Sequence, residues 1–313
     1  MNLQNIILRN LKYLLLLISV IFGMSEVYSS SSVSSVNAYQ EEKNIVITYQ
    51  LSKRSDIKVS VSTDGGKNYS TLKKVIGDVG KDIKKGDKNI TWRVLEEFEK
   101  FDYDNVCFKV EEYFTENGHE YVDLGLPSGT LWATCNVGAK SSLDCGDYFA
   151  WGETIPKTTF DDETYKWKNG YIITKYCVET EIIYSRVDYR AILELADDAA
   201  NANWGGSWRM PTRAEIEELK EYCTFTYGEK NEVYGHTVTG PNGNSIFFVS
   251  EYSTTCKNCF NNFYWSSSLY KSESLNAYIL NPSPTTAVYY FRSFGLPVRP
   301  VMSRKNGKSY QSK

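Results

Sequence analysis

Residues 203–219 read NWGGSWRMPTRAEIEEL. An Arg-x-Pro-Thr string runs directly into an acidic, amphipathic stretch. An Arg, a Thr hydroxyl and several carboxylates fall within a few positions, so the segment reads either as chemistry or as the start of a helix. Thr212 at the N-cap with Glu215 three residues on forms a capping box: the hydroxyl serves the N3 amide and the carboxylate returns to the N-cap amide. Pro211 before the cap and Ile216 within the first turns supply a hydrophobic staple. Ile216, Leu219 and Cys223 recur at helical spacing, whereas Glu217, Glu218 and Lys220 fall on the wet side. An acidic first turn also suits the helix dipole. A capped helix therefore accounts for Glu215 without catalysis.

The chain has 313 residues, room for about two domains. A formal net charge of −3 leaves no basic field, so no nucleic-acid partner is expected. The 24 Tyr and 7 Trp suit a β-rich protein with a binding surface, although most such rings serve a core. Arg9 and Lys12 precede an apolar run from Tyr13 to Met24, and Ser29 ends a cleavage-like tripeptide. Residues 1–29 thus read as a secretory signal peptide. The run falls short of the roughly 20 apolar residues a membrane span needs. The expected product is exported to the cell surface, periplasm or extracellular space, with no transmembrane segment in the mature chain.

A Ser-rich linker over 30–40 comes next, read as a flexible spacer. Residues 41–113 alternate like half-buried strands: Ile45, Ile47, Tyr49, Leu51; then Ile57, Val59, Val61; then Val106, Phe108, Val110. They predict a small immunoglobulin-like β-sandwich with Trp92 and Phe108 inside. Within it, Ser62 to Tyr69 resembles the Asp-box of sialidase-type propellers, but a single copy reads as a hairpin device. The second domain spans 118–302, and a basic, polar tail occupies 303–313. Its residues 238–248, VTGPNGNSIFF, predict a hairpin around Gly240 to Gly243. Helices early and strands late predict an α+β class for this part.

Chemistry is sparse. There is no G-x-S-x-G, H-E-x-x-H or EF-hand pattern, and 2 His starve a His-based triad or metal site. Asp161-Asp162 and Asp197-Asp198 lack the separated acid and base of glycoside hydrolysis. No cofactor, metal site or catalytic residue is assigned. Seven Cys are present, and Cys256 and Cys259 form a C-x-x-C. A local disulfide is the leading reading in an exported chain. A redox pair and a zinc half-site are the others, and neither has the surrounding pattern it needs.

The segment 208–219 resembles the Arg-Leu-Pro-Thr-x-x-Glu string of formylglycine-generating-enzyme-like and C-type-lectin-like domains. In family order, VDLGLPSGTLWATCNVGA at 122–139, GDYFAWGE at 146–153, LELADDAANANWGGSWRMPT at 193–212, YWSSS at 264–268 and VRPV at 298–301 resemble the Fibrobacter succinogenes major paralogous domain family. The 41–113 unit is similar to small β-sandwiches that precede such modules in exported proteins of the Bacteroidota. This resemblance implies a C-type-lectin-like fold, in which two helices brace a twisted antiparallel sheet. Trp208, Arg209, Pro211, Thr212, Glu215 and Trp265 would be its structural motif. The expected function is non-catalytic binding of a glycan or protein ligand at the cell surface. Tyr270, Tyr289, Tyr290, Arg292 and Phe294, in the late strands, are the candidate ligand contacts. A structural part of a surface assembly is the first alternative, and a Cys-dependent formylglycine-type oxidoreductase the second.

Overall fold

The computed structural model describes residues 32–178, 187–250, 263–283 and 288–304. The expected signal peptide, Cys256, Cys259 and most of the basic tail lie outside them. The chain divides into two compact units, Met1–Phe114 and Thr115–Lys313.

In the first unit, period-2 alternation builds two antiparallel sheets. One runs in the order Val33–Glu41, Asn44–Leu51, Gly86–Trp92, Val75–Gly77. The other centres on Ser55–Ser62, which pairs with Cys107–Glu112 along one edge and with Ser70–Thr71 and Gly80–Ile83 along the other. Ile47, Ile57 and Ile90 are fully buried, and Trp92 sits edge-on to Phe98, Phe101 and Phe108 at 5.0–6.0 Å. The Ser-rich stretch is not a spacer throughout: Val33–Glu41 is a strand paired with Asn44–Leu51. Val33, Val36 and Ala38 pack on the core, and a register shift between Ser34 and Asn37 lets them do so.

The Asp-box closes the turn between Ser55–Ser62 and Ser70–Thr71. Asp64 Oδ1 accepts the Lys67 and Asn68 amides at 3.1 and 3.0 Å, and Ser62 Oγ accepts the Gly66 amide at 2.8 Å. The Ser62 hydroxyl and these donors hold the Asp64 carboxyl down at about 2.

The second unit corrects the expected fold class. The protein is mostly β, with several small antiparallel sheets, three short helices and no closed barrel among the described residues. It is not the α+β, C-type-lectin-like arrangement after an immunoglobulin-like sandwich that the sequence implied. The helices here are Ala199–Trp204 and Arg213–Tyr222, six and ten residues long. Gly205 at φ 65° ends the first, and Cys223 turns extended where the β-prone run Thr224–Lys230 begins. Helical periodicity was therefore genuine but local, and short strands dominate the rest.

One sheet has the order Val301–Ser303, Thr130–Ala133, His119–Asp123, Phe114–Glu116. A second is Thr224–Lys230, Val233–Thr239, Ser245–Val249, with the Gly240–Gly243 turn between the last two. A third is Tyr264–Leu269, Asn276–Leu280, Tyr289–Phe291. The pair Tyr148–Phe149 and Leu296–Pro297 forms a small fourth. Trp132, Trp151, Trp208 and Trp265 are wholly buried. Trp208 Nε1 donates to the Glu116 carbonyl at 2.8 Å, and Trp265 Nε1 to the Phe149 carbonyl at 2.7 Å, so these two rings carry their polar atoms into satisfied positions.

The capped helix has the geometry its sequence dictates. Glu215 accepts from the Thr212 amide at 2.8 Å, Thr212 Oγ1 accepts from the Glu215 amide at 3.3 Å, and Arg209 forks onto both Glu215 oxygens. Pro211 lends its carbonyl to the Ser267 amide at 2.7 Å, which ties the cap to the third sheet. Burial opposes the Glu215 charge, but Arg209 and the Thr212 amide outweigh it and its pKa is lowered.

Candidate aromatic cleft

Two neighbouring loops and a segment distant in sequence converge beside the Tyr148–Phe149 and Leu296–Pro297 pair. They enclose a cleft of about 840 Å³ whose walls include Asp147, Tyr148, Lys157, Phe160, Tyr290 and Phe294.

The first wall hangs from a buried guanidinium. Arg299 is inaccessible to solvent and donates to Asn136 Oδ1, the Ala133 carbonyl and the Phe247 carbonyl at 2.7, 3.2 and 2.9 Å. Asn136 in turn donates to the Cys145 carbonyl at 2.9 Å, and the Asp147 amide donates to the Val137 carbonyl at 2.8 Å. Gly138, at φ 76°, makes the last step possible: a Cβ there would lie 2.2 Å from Asp147 Oδ2. Cys145 is disulfide-bonded, which adds a covalent tie next to this wall. Cys107, Cys135 and Cys223 are free thiols.

The second wall is the loop around Phe160. Buried Glu153 accepts from Lys157 Nζ at 3.0 Å and from the Lys166 amide at 2.8 Å, and Lys157 Nζ also donates to the Thr164 carbonyl at 2.9 Å. Asp161 accepts the Thr164 amide at 2.8 Å and Asp162 pairs with Lys168, so both aspartates shape the loop. The Phe160 ring then lies against Gly295, where a Cβ would come within 2.5 Å of it.

The third wall comes from the late strands. Tyr290 is half-buried on the core, and Phe294 meets it edge-on at 5.1 Å while remaining 43% exposed.

The cleft's polar groups differ in how far they are committed. Lys157 is engaged by Glu153 and Thr164, with its ammonium 5.7 Å from the Phe160 centroid. Burial pushes the Tyr148 hydroxyl up, so it stays protonated. The Asp147 carboxylate has no hydrogen-bond or ion-pair partner among the described residues. A half-buried carboxylate without a partner beside aromatic rings is suited to accept hydrogen bonds from a ligand.

The five expected ligand contacts separate. Tyr290 and Phe294 line the cleft. Tyr270 and Tyr289 stack on each other at 4.0 Å, with Tyr278 edge-on to Tyr270 at 5.3 Å and Arg213 over Tyr278 at 4.3 Å. Arg292 is not a surface contact: it is 1% exposed. Its guanidinium is spent on Tyr165 Oη and on the carbonyls of Lys175, Tyr176 and Ser274, and it stacks over Trp151 at 4.7 Å. Asp147, Tyr148, Lys157 and Phe160 are wall residues that sequence reasoning passed over.

No model of a known protein family, no curated protein and no solved structure matches the chain.

The remaining charged clusters are structural. Asp197 accepts from Tyr176 Oη at 2.6 Å and Lys175 Nζ at 2.5 Å, and Asp198 caps Ala199–Trp204 while accepting the Met210 amide at 2.8 Å. Among the described residues, no group of three or more His, Cys, Asp or Glu could hold a metal ion, and no helix is long and apolar enough to cross a membrane.

Proposed function

We propose that the protein is an exported, non-catalytic binding module whose second unit recognises a glycan or protein surface through the aromatic cleft. The observation that carries this reading is the uncommitted Asp147 carboxylate in a cleft walled by Phe160, Tyr290 and Phe294. Ligand pockets combine apolar walls with a few polar groups that fix orientation. Export follows from the charged-then-apolar pattern of residues 1–29.

Catalysis has no comparable support. Asp161, Asp162, Asp197, Asp198 and Glu215 are each committed to backbone amides or cations. The test is to immobilise the protein and expose it to a defined glycan array and to labelled cell-surface extract. Retention that falls at least about tenfold in an Asp147→Asn variant of unchanged melting temperature is expected. Absence of any retained glycan or protein, or retention indifferent to Asp147, overturns the proposal.

A further inference from the structure

We propose that the cleft is the inner end of a longer groove for a linear, neutral oligosaccharide, with Phe291 and Tyr289 as its outer stacking platform. The inference rests on the reading of the cleft as a ligand site and gives that ligand a chemical class and a length. The cleft does not end at Phe294. That ring meets Tyr290 on one side at 5.1 Å and Phe291 on the other at 6.1 Å. Phe291 is 53% exposed and Tyr289 39% exposed, and both lie on the same face of the strand Tyr289–Phe291, because side chains two apart share a face. Tyr289 is held flat against Tyr270, with ring planes within 16°. Tyr290, between Tyr289 and Phe291, faces the core side, so the ring contacts turn the edge of this terminal strand, with Phe294 touching Tyr290 on the cleft side and Phe291 on the outer side.

Polar groups are concentrated at the inner end. Asp147 can accept two hydroxyl hydrogen bonds, exposed Thr158 offers a hydroxyl, and Lys157 retains donor capacity beyond its two partners. The Lys157 charge is balanced by Glu153. The outer end carries aromatic faces, and Arg292 beneath them is buried. A ligand that suits both ends presents hydroxyls at its edges and C–H surfaces on its faces, repeated along its length. Sugars joined in a chain meet this description.

A peptide added to the sheet fits less well. Tyr289–Phe291 is the terminal strand of its sheet but supplies only three residues of edge, whereas strand addition draws its affinity from a run of main-chain hydrogen bonds. A nucleic acid would require a basic field that this chain lacks.

The test uses the whole chain against neutral linear oligosaccharides of one to six units, on an array spanning several linkages, followed by calorimetric titration of the retained series. Affinity is expected to rise at least about tenfold from the shortest to the longest member. Alanine at both Tyr289 and Phe291 should abolish that rise while leaving the shortest bound sugar within about twofold. Phe294→Ala should weaken every member. Melting temperatures of the variants are compared with wild type, and Phe291→Ala alone serves if loss of the Tyr289–Tyr270 stack perturbs the fold. Length-independent affinity, or an unchanged length dependence in the platform variants, overturns the inference. Retention of an extract protein with no sugar bound also overturns it, yet leaves the cleft reading standing. Failure to retain either kind of ligand overturns both.

Discussion

Asp147 and Arg292 show how differently two charged residues near one cleft are used. Arg292 is enclosed by carbonyls and rings, so truncating it would leave several buried acceptors unpaired and destabilise the unit. Arg292→Met should lower unfolding free energy by about 3 kcal/mol, measured by denaturant titration. Asp147 has no such obligations among the described residues, and its replacement by Asn should leave stability within about 0.5 kcal/mol while weakening ligand capture. Neighbouring Asp197 and Asp198 diverge in the same instructive way. Burial works against the Asp197 charge, but Lys175 and Tyr176 outweigh it and its pKa is lowered. At Asp198 burial outweighs the Asn201, Met210 and Ala200 amides and the nearby Arg209 charge, and pushes the carboxyl up to about 6. A raised folded pKa means that the Asp198 contribution is complete below the unfolded value near 3.9 and fades as pH rises through about 6. The stability of wild type relative to Asp198→Asn should therefore fall between pH 4 and pH 7, by on the order of 1–3 kcal/mol in chemical denaturation. A flat difference would contradict this assignment. None of these distinctions was legible in the sequence, where Arg292 read as a surface contact and Asp147 as one letter of a family-like string.

At the level of elements, local signals proved readable and their assembly did not. The Thr212–Glu215 capping box, the Gly240–Gly243 hairpin and the alternating strands of the first unit each follow from interactions within a few residues. Thr212→Ala should cost about 1 kcal/mol, by thermal or denaturant unfolding. The fold class failed because it rested on an early helical region, which forms only two short helices in the second unit, and on a family resemblance, while short strands fill most of the rest. The cleft was hidden because two neighbouring loops, at Gly146–Tyr148 and Pro156–Phe160, meet the strand end at Tyr290–Leu296, which lies more than a hundred residues further along the chain. The residue that joins two of these walls is Gly295, which bears the Phe160 ring. Gly295→Val should push that ring aside and reduce ligand retention, with a smaller effect on melting temperature. Undiminished retention would show that the Phe160 wall is dispensable.

On the scale of the molecule, each unit encloses its own hydrophobic core: one around Trp92, the other around Trp151, Trp208 and Trp265 with an adjoining cluster at Trp132. Cores that share no residues unfold independently unless an interface couples them. The division between the units falls at Phe114 and Thr115, and the second domain was expected to begin at residue 118. Ligand chemistry is not legible in that way, since it depends on which side chains remain uncommitted after folding. The central claim is that the cleft holding Asp147 is a ligand site, and glycan-array retention of the whole protein compared with its Asp147→Asn and Phe294→Ala variants tests it most directly. Wild type should retain a linear neutral oligosaccharide, and each variant should lose at least about tenfold in affinity with an unchanged melting temperature. Retention by the variants equal to that of wild type would contradict it.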